Sequence, residues 1–468
     1  MTNANDPTLY LSAGLPRDDA ERLEKEAPAP SGAFEPDWEA LERWLAARSA
    51  ALGRLPPKRL RAPAEQAAAE AMLGDARRAR DGFLAHHVAE VYDRLTDGRR
   101  RFLRLGELCW EAAERFPGLA PTREEVARER ELPQMHQEGL QIDQGVLLSH
   151  VLSDPTRGLH LLHAMRRPTA AARALLPALR SSGRVELPSM TLERQGRLGR
   201  ITFHHLAWLN AEDDEYQEAL ETLVDLVLLD DGIRVGVLRG APMTKAKYAG
   251  RRVFGAGINL TQLYHGKISL LRFMLERETG PLAKIYRGLS GEEIEREGVE
   301  DGLEKPFVGA VDGFAIGGHC QMLLILDRVI AQRGAYFNLP ARKEGIIPGV
   351  ANLRLPRFVG ERASRQGIFF NRAFPAESPE GRLLCDEVVE GEAAMEAAVL
   401  AGAEELLSAG PTSLVANRRA LRAGAEPIDN FRRYMATYCR EQAYCLYAPA
   451  LIDNLVRNWN ARERKLGG

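Results

Sequence analysis

Cysteine is scarce in this chain, with five residues in 468 and no pair at the C-x-x-C spacing used by many metal and redox sites. An odd number of scattered cysteines favours free thiols in a cytoplasm over a disulfide framework. Long apolar runs are also missing: no stretch approaches the ~18 residues of a membrane helix, and the N-terminal segment lacks the pattern of a signal peptide. The sequence therefore predicts a cytoplasmic protein with no membrane partner.

An excess of charge of either sign is absent as well. Lys and Arg together number 63, Asp and Glu 65, and the formal net charge is -2. This balance argues against a basic nucleic-acid surface, so no nucleic-acid partner is expected. The pairs His86 with His87 and His204 with His205 have no third ligand at a recognisable spacing, so no metal site is predicted.

Apolar spacing divides the chain into regions. Residues 1–35 are rich in Pro, Ala and acidic residues, which suggests an arm or linker. From 36 to 183 apolar residues recur with the helical period, so an all-helical accessory domain is expected. Asp37 is placed to cap the first of these helices, and Thr122 with Glu125 forms a capping box for a later one.

From residue 184 onward, strands alternate with helices. The segment ELPSMTLERQGRLGRITFHH predicts two antiparallel strands, and the short runs GIRVGVLRG, KPFVGAVDG and LDRVIAQR predict further strands. Helices are predicted over 212–229 and 317–326. This alternation indicates a layered α/β domain with crossover connections, over residues 184–400.

Two glycine-rich loops lie about 60 residues apart, FGAGINL at 254–260 and VDGFAIGGHC at 311–320. Small residues let the backbone approach a ligand, and a helix start offers unpaired N–H groups. Two such groups converging on one point would hold a thioester oxygen as it becomes an enolate. Taken alone, each loop is equally explained as a tight turn that packs a helix on a sheet.

FGAGINL and KPFVGAVDGFAIGGHCQMLLILDRVIA resemble two motifs of the crotonase (enoyl-CoA hydratase/isomerase) superfamily. The segments ALETLVDLVLLDDGIRVGVLRGAP and LPARKEGIIPGVANLRLPRFVGERAS follow the same family in order and spacing. The resemblance implies a crotonase-like ββα spiral core behind the N-terminal all-helical domain, and a coenzyme A thioester as substrate. It also implies that the backbone N–H groups of Ile258 and Gly318 are oxyanion donors, with Ala256 and Gly317 beside the substrate.

The chain departs from the family at its two catalytic glutamates. Gln321 and Ala341 occupy those positions, and neither side chain can exchange a proton, so hydration by paired carboxylates is not expected. His319 replaces a motif glycine and is either an acid or base, or a residue packed at a helix start. Glu212 either contacts the substrate ring or takes part in proton transfer, or it is a solvated helix cap.

A second resemblance is to one branch of the family. The long helical extension, the Gln and Ala substitutions, and REQAYCLYAPALIDNLVRNW near the end resemble the cofactor-independent dioxygenases of vancomycin-type glycopeptide antibiotic biosynthesis. This implies conversion of 3,5-dihydroxyphenylacetyl-CoA and O₂ to 3,5-dihydroxyphenylglyoxylate and free CoA, with no metal or organic cofactor. The alternatives are another acyl-CoA enzyme of this fold, such as a decarboxylase or thioester hydrolase, and a non-catalytic scaffold.

Basic residues supply further candidates for substrate binding. Lys245, Lys247, Arg251 and Arg252 cluster before the first loop, where they either meet the CoA phosphates or form a solvated face. Arg277, on the helix after that loop, either orients the substrate or forms a surface salt bridge.

Apolar residues near the missing glutamate are candidates for an oxygen pocket. Dioxygen is small and apolar, and dry apolar cavities bind such gases. Ile346 and Ile347, with room left by Ala341, are predicted to line it, against ordinary core packing. The family resemblance further implies a homo-oligomer, a trimer or a dimer of trimers, with C-terminal helices over 401–468 for oligomerisation and active-site closure.

Overall fold

The computed structural model describes residues 7–291, 302–408 and 410–466. It confirms the predicted α/β core and helical N-terminal region. No helix within these ranges is long and apolar enough to cross a bilayer. The N-terminal helices are α1 (Pro7–Ser12), α2 (Arg17–Leu23), α3 (Phe34–Leu52), α4 (Pro63–Leu95), α5 (Leu105–Arg115), α6 (Arg123–Glu129), α7 (Gln141–Ser153), α8 (Pro155–Met165) and α9 (Ala170–Ser182).

The predicted arm or linker is folded over much of its length. Residues 7–23 form α1 and α2, while residues 1–6 lie outside the described part of the chain. Tyr10 and Leu23 are buried and join a small core with Ala51 and Met72 of α3 and α4. These few apolar residues are enough to hold α1 and α2 in place, because α3 and α4 present an apolar surface against which they pack.

Of the two helix caps predicted from the sequence, the structure contains the one at Thr122 and not the one at Asp37. Thr122 Oγ1 accepts a hydrogen bond from the Glu125 N–H at 3.2 Å, and the Glu125 carboxylate accepts one from the Thr122 N–H at 2.8 Å. Asp37 is not the cap of α3, because that helix begins at Phe34. Its carboxylate instead ties down the preceding loop, accepting a hydrogen bond from the Ser31 N–H at 2.8 Å.

Two sheets form the core domain. The first begins as an antiparallel meander of three strands, one more than predicted, and continues as a parallel sheet. Its order is β1 (Arg184–Leu187), β2 (Met190–Gln195), β3 (Leu198–Phe203), β4 (Val235–Gly240), β5 (Phe307–Val311), β7 (Arg328–Gln332) and β10 (Glu387–Val389). The second contains β6 (Phe314–Ile316), β8 (Tyr336–Asn338) and β9 (Phe374–Pro375).

Both central strands β4 and β5 are buried along their whole length, as expected for parallel strands covered on both faces. The covering helices connect successive strands or follow the sheet. They are α10 (Asp214–Leu229), α11 (Leu260–Tyr264), α12 (Arg277–Thr279), α13 (Pro281–Arg287), α14 (Gly318–Leu323), α15 (Ala341–Glu344), α16 (Ala351–Phe370), α17 (Gly381–Leu384) and α18 (Glu392–Ser408). A π-helical segment, Leu270–Glu276, leads directly into α12.

The C-terminal helices return to the N-terminal region. They are α19 (Pro411–Ala425), α20 (Ile428–Leu446) and α21 (Pro449–Trp459). Helix α20 crosses α7 at Gly145, where an added Cβ would lie 2.7 Å from the Cβ of Ala443. One apolar core joins both helices to Ile258 and Phe273. The helical region is therefore packed against the first glycine-rich loop.

Candidate active site

The two glycine-rich loops pair with each other through their backbones. The Gly255 N–H donates to the Phe314 carbonyl at 3.2 Å, and the Ile316 N–H donates to the Gly255 carbonyl at 3.0 Å. Gly317 has φ +55° and ψ -120°, and a Cβ there would lie 3.2 Å from the Cα of Gly257. Glycine is needed at 317 for both the conformation and the close approach.

The backbone N–H groups of Ile258 and Gly318 are available for a ligand. The neighbours of Ile258 bond to Glu212 instead: the Glu212 N–H donates to the Gly257 carbonyl at 2.7 Å, and the Asn259 N–H donates to the Glu212 carbonyl at 2.8 Å. In this parallel bridge the Ile258 N–H faces away from Glu212. Gly318 is the first residue of α14, where helix geometry leaves the N–H unpaired. Neither group donates a hydrogen bond within the described ranges.

Both residues line an inner cavity of about 30 Å³. The C-terminal region reaches it through Tyr438 of α20. The predicted site residues that line this cavity are Glu212, Ile258, Arg277, Gly317, Gly318, Gln321, Ile346 and Ile347.

Arg277 organises the polar side of the inner cavity. Its guanidinium is buried and donates to both Glu212 oxygens, at 3.0 and 3.1 Å, to Glu278 at 2.7 Å, to Gln321 Oε1 at 3.0 Å and to the Gly318 carbonyl at 2.6 Å. Burial by itself would lower the pKa of Arg277, but Glu212 and Glu278 raise it above its usual range. Arg277 thus forms a buried network, and not a surface salt bridge. Glu212 is likewise fully buried, and not a solvated cap.

His319 supports the first loop. Its Nε2 lies 2.9 Å from the Tyr216 hydroxyl, and its Nδ1 lies 3.4 Å from the Gly257 nitrogen. The ring packs directly against the α-carbon of Gly255. Burial lowers the pKa of His319 to about 4, so the ring is neutral near pH 7. These contacts support the packing interpretation of His319.

A larger outer cleft of about 640 Å³ adjoins the inner cavity. Ile258, Pro340 and Glu344 line both, so these residues stand where the two spaces meet. Helix α21 covers part of the cleft through Leu455 and Trp459.

The predicted basic cluster divides between two places. Lys245 and Lys247 line the outer cleft, as does the predicted Ala256. Arg251 and Arg252 line a neighbouring surface pocket that shares Tyr248, Phe314 and Tyr336 with the outer cleft, so their contact with the CoA phosphates stays a prediction. They are held there by local partners, because Arg251 packs on Tyr248 and Arg252 bonds Glu392 and the Gly240 carbonyl, at 3.3 and 3.1 Å.

Ala341 also departs from its predicted place in an oxygen pocket. It is buried in the hydrophobic core beneath the sheet and is absent from the described linings of both cavities. The first turn of α15 directs position 341 inward, and Pro340 and Glu344 face the cavities instead. Ile346 and Ile347 line the inner cavity, and their role beside O₂ stays a prediction.

The sequence-based prediction missed Glu278, Glu344 and Tyr438, all of which line the inner cavity. Glu278 stands next to Arg277, and Glu344 lies three residues beyond Ala341 on the same helix. Both are therefore close in sequence to residues that the sequence analysis had named. No local signal marks Tyr438, which lies 118 positions or more from the glycine-rich loops.

Glu344 differs from the other carboxylates of the cavity. Its side chain is buried, and within the described residues it makes no hydrogen bond or ion pair through its carboxylate. Burial raises the pKa of Glu344 to about 7. The described residues contain no group of three or more His, Cys, Asp or Glu side chains placed to hold a metal.

Comparison with known proteins gives three findings. A family model described as enoyl-CoA hydratase/isomerase matches residues 299–440. The (3,5-dihydroxyphenyl)acetyl-CoA 1,2-dioxygenase of Amycolatopsis orientalis is 47% identical over 405 residues, covering 86% of this chain and 92% of that protein. The short-chain-enoyl-CoA hydratase of Clostridium acetobutylicum is 27% identical over 244 residues, covering 52% of this chain and 84% of that protein.

Among solved structures, Pseudomonas aeruginosa OdaA is 19% identical, with a TM-score of 0.48. The match covers 60% of this chain and 100% of that one.

Proposed function

This chain belongs to the enoyl-CoA hydratase/isomerase (crotonase) family, as its motifs predict, and from that premise we propose that it is an acyl-CoA dioxygenase. Its substrates are 3,5-dihydroxyphenylacetyl-CoA and O₂, and its products are 3,5-dihydroxyphenylglyoxylate and free CoA. The similarity over 86% of the chain to a dioxygenase named for that thioester supports the substrate. The helical extension is included in that similarity, whereas the hydratase match covers about half of the chain.

The observation that carries the proposal is the pair of backbone N–H groups at Ile258 and Gly318 that make no hydrogen bond within the described residues, in a chain with Gln321 and Ala341 at the two hydratase glutamate positions. Two such donors stabilise the negative charge that develops on a thioester oxygen, and one donor is worth about 3–4 kcal/mol. Gln321 cannot replace a glutamate in proton transfer, and Ala341 has no polar group. The site is therefore suited to forming an enolate, and it lacks the glutamate pair with which hydratases add water.

The two connected spaces suggest how the substrate lies. The CoA part occupies the outer cleft, where Lys245 and Lys247 offer cations for its phosphates. The thioester oxygen sits on Ile258 and Gly318, and the aryl group enters the inner cavity toward Glu212 and its Arg277 partner.

The reaction then proceeds on the bound thioester. Removal of one α-proton gives the enolate, which transfers an electron to O₂, and the two radicals combine to an α-peroxide. The peroxide attacks the thioester carbon and expels CoA thiolate. Loss of the second α-proton breaks the O–O bond and leaves the α-keto acid, so both oxygen atoms enter the product. Ile346 and Ile347 provide the apolar wall where O₂ would wait.

The proposal includes independence from metals and organic cofactors, as the resemblance implies, and assembly as a trimer or a dimer of trimers. Exhaustive chelation should leave the rate unchanged, and restoration by Fe²⁺ after chelation would contradict this part. Light scattering of the purified enzyme tests the subunit number.

The test of the function is incubation of 3,5-dihydroxyphenylacetyl-CoA with the enzyme under air and under argon. The expected result is one thiol released per O₂ consumed in air, and no thiol under argon. Product from ¹⁸O₂ should carry two labelled oxygens. Thiol release under argon would identify a thioester hydrolase or a decarboxylase, and absence of turnover with intact binding would favour a non-catalytic scaffold.

A further inference from the structure

The proposed reaction needs a group that removes the α-proton, and the positions that supply carboxylates in hydratases hold Gln321 and Ala341. The inner cavity nevertheless contains three carboxylates, Glu212, Glu278 and Glu344. The neutral His319 lies behind the first loop and is engaged with Tyr216. The base is therefore to be sought among the three glutamates.

Two of these glutamates form hydrogen-bonded ion pairs with Arg277. Glu212 gives both oxygens to the guanidinium, and Glu278 gives one at 2.7 Å. An arginine that holds two carboxylates stabilises their negative charge, and a proton taken up by either would weaken this buried ion pair. Glu212 and Glu278 are thus placed to hold Arg277 and a polar substituent of the ring.

Among the residues that the structure describes, Glu344 has no such partner, and it stands at a different position. It ends α15, where Gly345 follows in the left-handed conformation with φ +82°. It lines both the inner cavity and the outer cleft, as Ile258 does. A thioester whose oxygen rests on the Ile258 N–H and whose CoA part lies in the cleft has its α-carbon at this meeting place.

We propose that Glu344 is the general base that removes the α-proton of the acyl-CoA substrate, an inference that rests on the proposed function. The C–H electron pair moves into the enolate, and the proton moves to the Glu344 carboxylate. The same carboxylic acid then protonates the departing CoA thiolate, which returns the carboxylate for the second α-proton.

The surroundings of Glu344 suit this role. A carboxylate buried without a cation binds a proton more strongly than one in water, and its pKa of about 7 matches the working pH of a base. Its neighbours in the lining, Ile346, Ile347 and Pro348, are apolar. The helix of the missing hydratase glutamate therefore still carries a carboxylate, displaced by three residues.

The test is α-hydrogen exchange in D₂O under argon, with 3,5-dihydroxyphenylacetyl-CoA as the probe and mass spectrometry as the readout. The wild-type enzyme should exchange both α-hydrogens. Glu344→Gln should slow exchange, and aerobic kcat, at least 100-fold, within the range of general-base effects. Glu344→Ala with added formate should recover part of the rate, because a small carboxylate can occupy the vacated space. The exposed Glu361→Gln is the matched control and should behave as wild type.

Exchange and kcat within threefold of wild type in a folded Glu344→Gln that binds the thioester would overturn the inference. Loss of thioester binding with an unchanged rate at saturation would also overturn it, because it would make Glu344 a binding residue. Failure of the proposed function shows separately, in the wild-type enzyme, as thiol release under argon. Exchange requires no O₂, so the two failures are distinguishable.

Discussion

Arg277 donates to both carboxylate oxygens of Glu212, from Nε at 3.0 Å and from Nη2 at 3.1 Å, in a pair that is buried on both sides. The two residues are 65 positions apart in the chain. Their pairing joins the segment just before α10 to the first residue of α12. It also places a cation beside Gly318, whose carbonyl receives a further hydrogen bond from Arg277 at 2.6 Å.

Replacing Arg277 should destabilise the fold. Arg277→Met leaves Glu212 and Glu278 as uncompensated buried charges, so the free energy of unfolding should fall by about 3–5 kcal/mol in urea denaturation. The control Arg365→Met removes an exposed pair with Glu361 and should change it by less than about 0.5 kcal/mol. Equal changes in the free energy of unfolding of the two variants would mean that the buried ion pair stabilises the fold no more than the exposed one.

The oxyanion assignment predicts a difference between two substitutions of Gly318. Both Gly318→Ala and Gly318→Pro add a Cβ that meets the Glu212 carboxylate, so both should lose activity. Only proline removes the N–H donor, and it is tolerated at a helix start. Gly318→Pro should therefore have a kcat lower than Gly318→Ala by roughly 100-fold or more, as expected for one donor. Equal kcat values in folded variants would exclude the Gly318 N–H as a donor.

The oxygen pocket predicts an effect of polarity at Ile346. Ile346→Val and Ile346→Thr remove the same volume, but threonine adds a hydroxyl that can hold water in the cavity. The apparent KM for O₂ should rise severalfold more in the threonine variant than in the valine variant, with the KM for the thioester nearly equal in both. Initial rates at varied O₂ measure this. A parallel rise of both constants would indicate general damage and remove the pocket.

The buried, unpaired carboxylate of Glu344 should lower the stability of the fold at high pH, although the proposed reaction needs it. Its pKa is about 7 in the folded chain and about 4.5 when exposed, so the folded state binds the extra proton and loses stability as pH rises through this window. Glu344→Gln avoids that loss. The free energy of unfolding of this variant should match that of wild type near pH 4.5 and exceed it by up to about 3 kcal/mol at pH 8. The difference at pH 8 should appear as a higher melting temperature. A variant less stable than wild type at pH 8 would contradict the buried, unpaired state.

The same residue predicts the pH dependence of the reaction. A base must be ionised in the free enzyme, so wild-type kcat/KM should rise with pH and level off above about 7. His319 cannot produce this limb, because its pKa is lowered to about 4. The residual activity of Glu344→Gln should lack the limb; a limb that persists near pH 7 would assign it to another group. The other ionisable groups that line the two spaces around Glu344 are Glu212, Arg277, Glu278, Tyr438, Lys245, Lys247, Tyr248, Tyr336, Lys343 and Arg464.

The cleft predicts which cations meet CoA. Lys247→Ala should raise the KM for the thioester severalfold with little change in kcat, and the effect should shrink at high salt because exposed charges are screened. Arg365→Ala, at an exposed position of α16 that lines neither the cleft nor the pocket beside it, is the control of equal charge change. Equal effects of the two variants would indicate a diffuse field and no specific phosphate contact.

The sequence by itself determined the family, the two glycine-rich loops and two residues within them, Ile258 and Gly318, that line the inner cavity. These features are local: glycine at 317 is required by its own backbone angles, and the N–H of Gly318 is unpaired because it begins a helix. The replacement of the hydratase glutamates by Gln321 and Ala341 was equally visible, since it depends on position within a motif.

Only the tertiary structure decided which charged side chains enter the site. Arg277 and Arg252 both lie near the first glycine-rich loop, and the sequence does not show which of them is buried. Arg277 is buried among Glu212, Glu278 and Gln321, whereas Arg252 bonds Glu392 on α18. Tyr438 reaches the inner cavity because α20 crosses α7, far away in sequence. Such placements depend on contacts between distant segments, and periodicity reports only which face of an element is buried, not what lies opposite it.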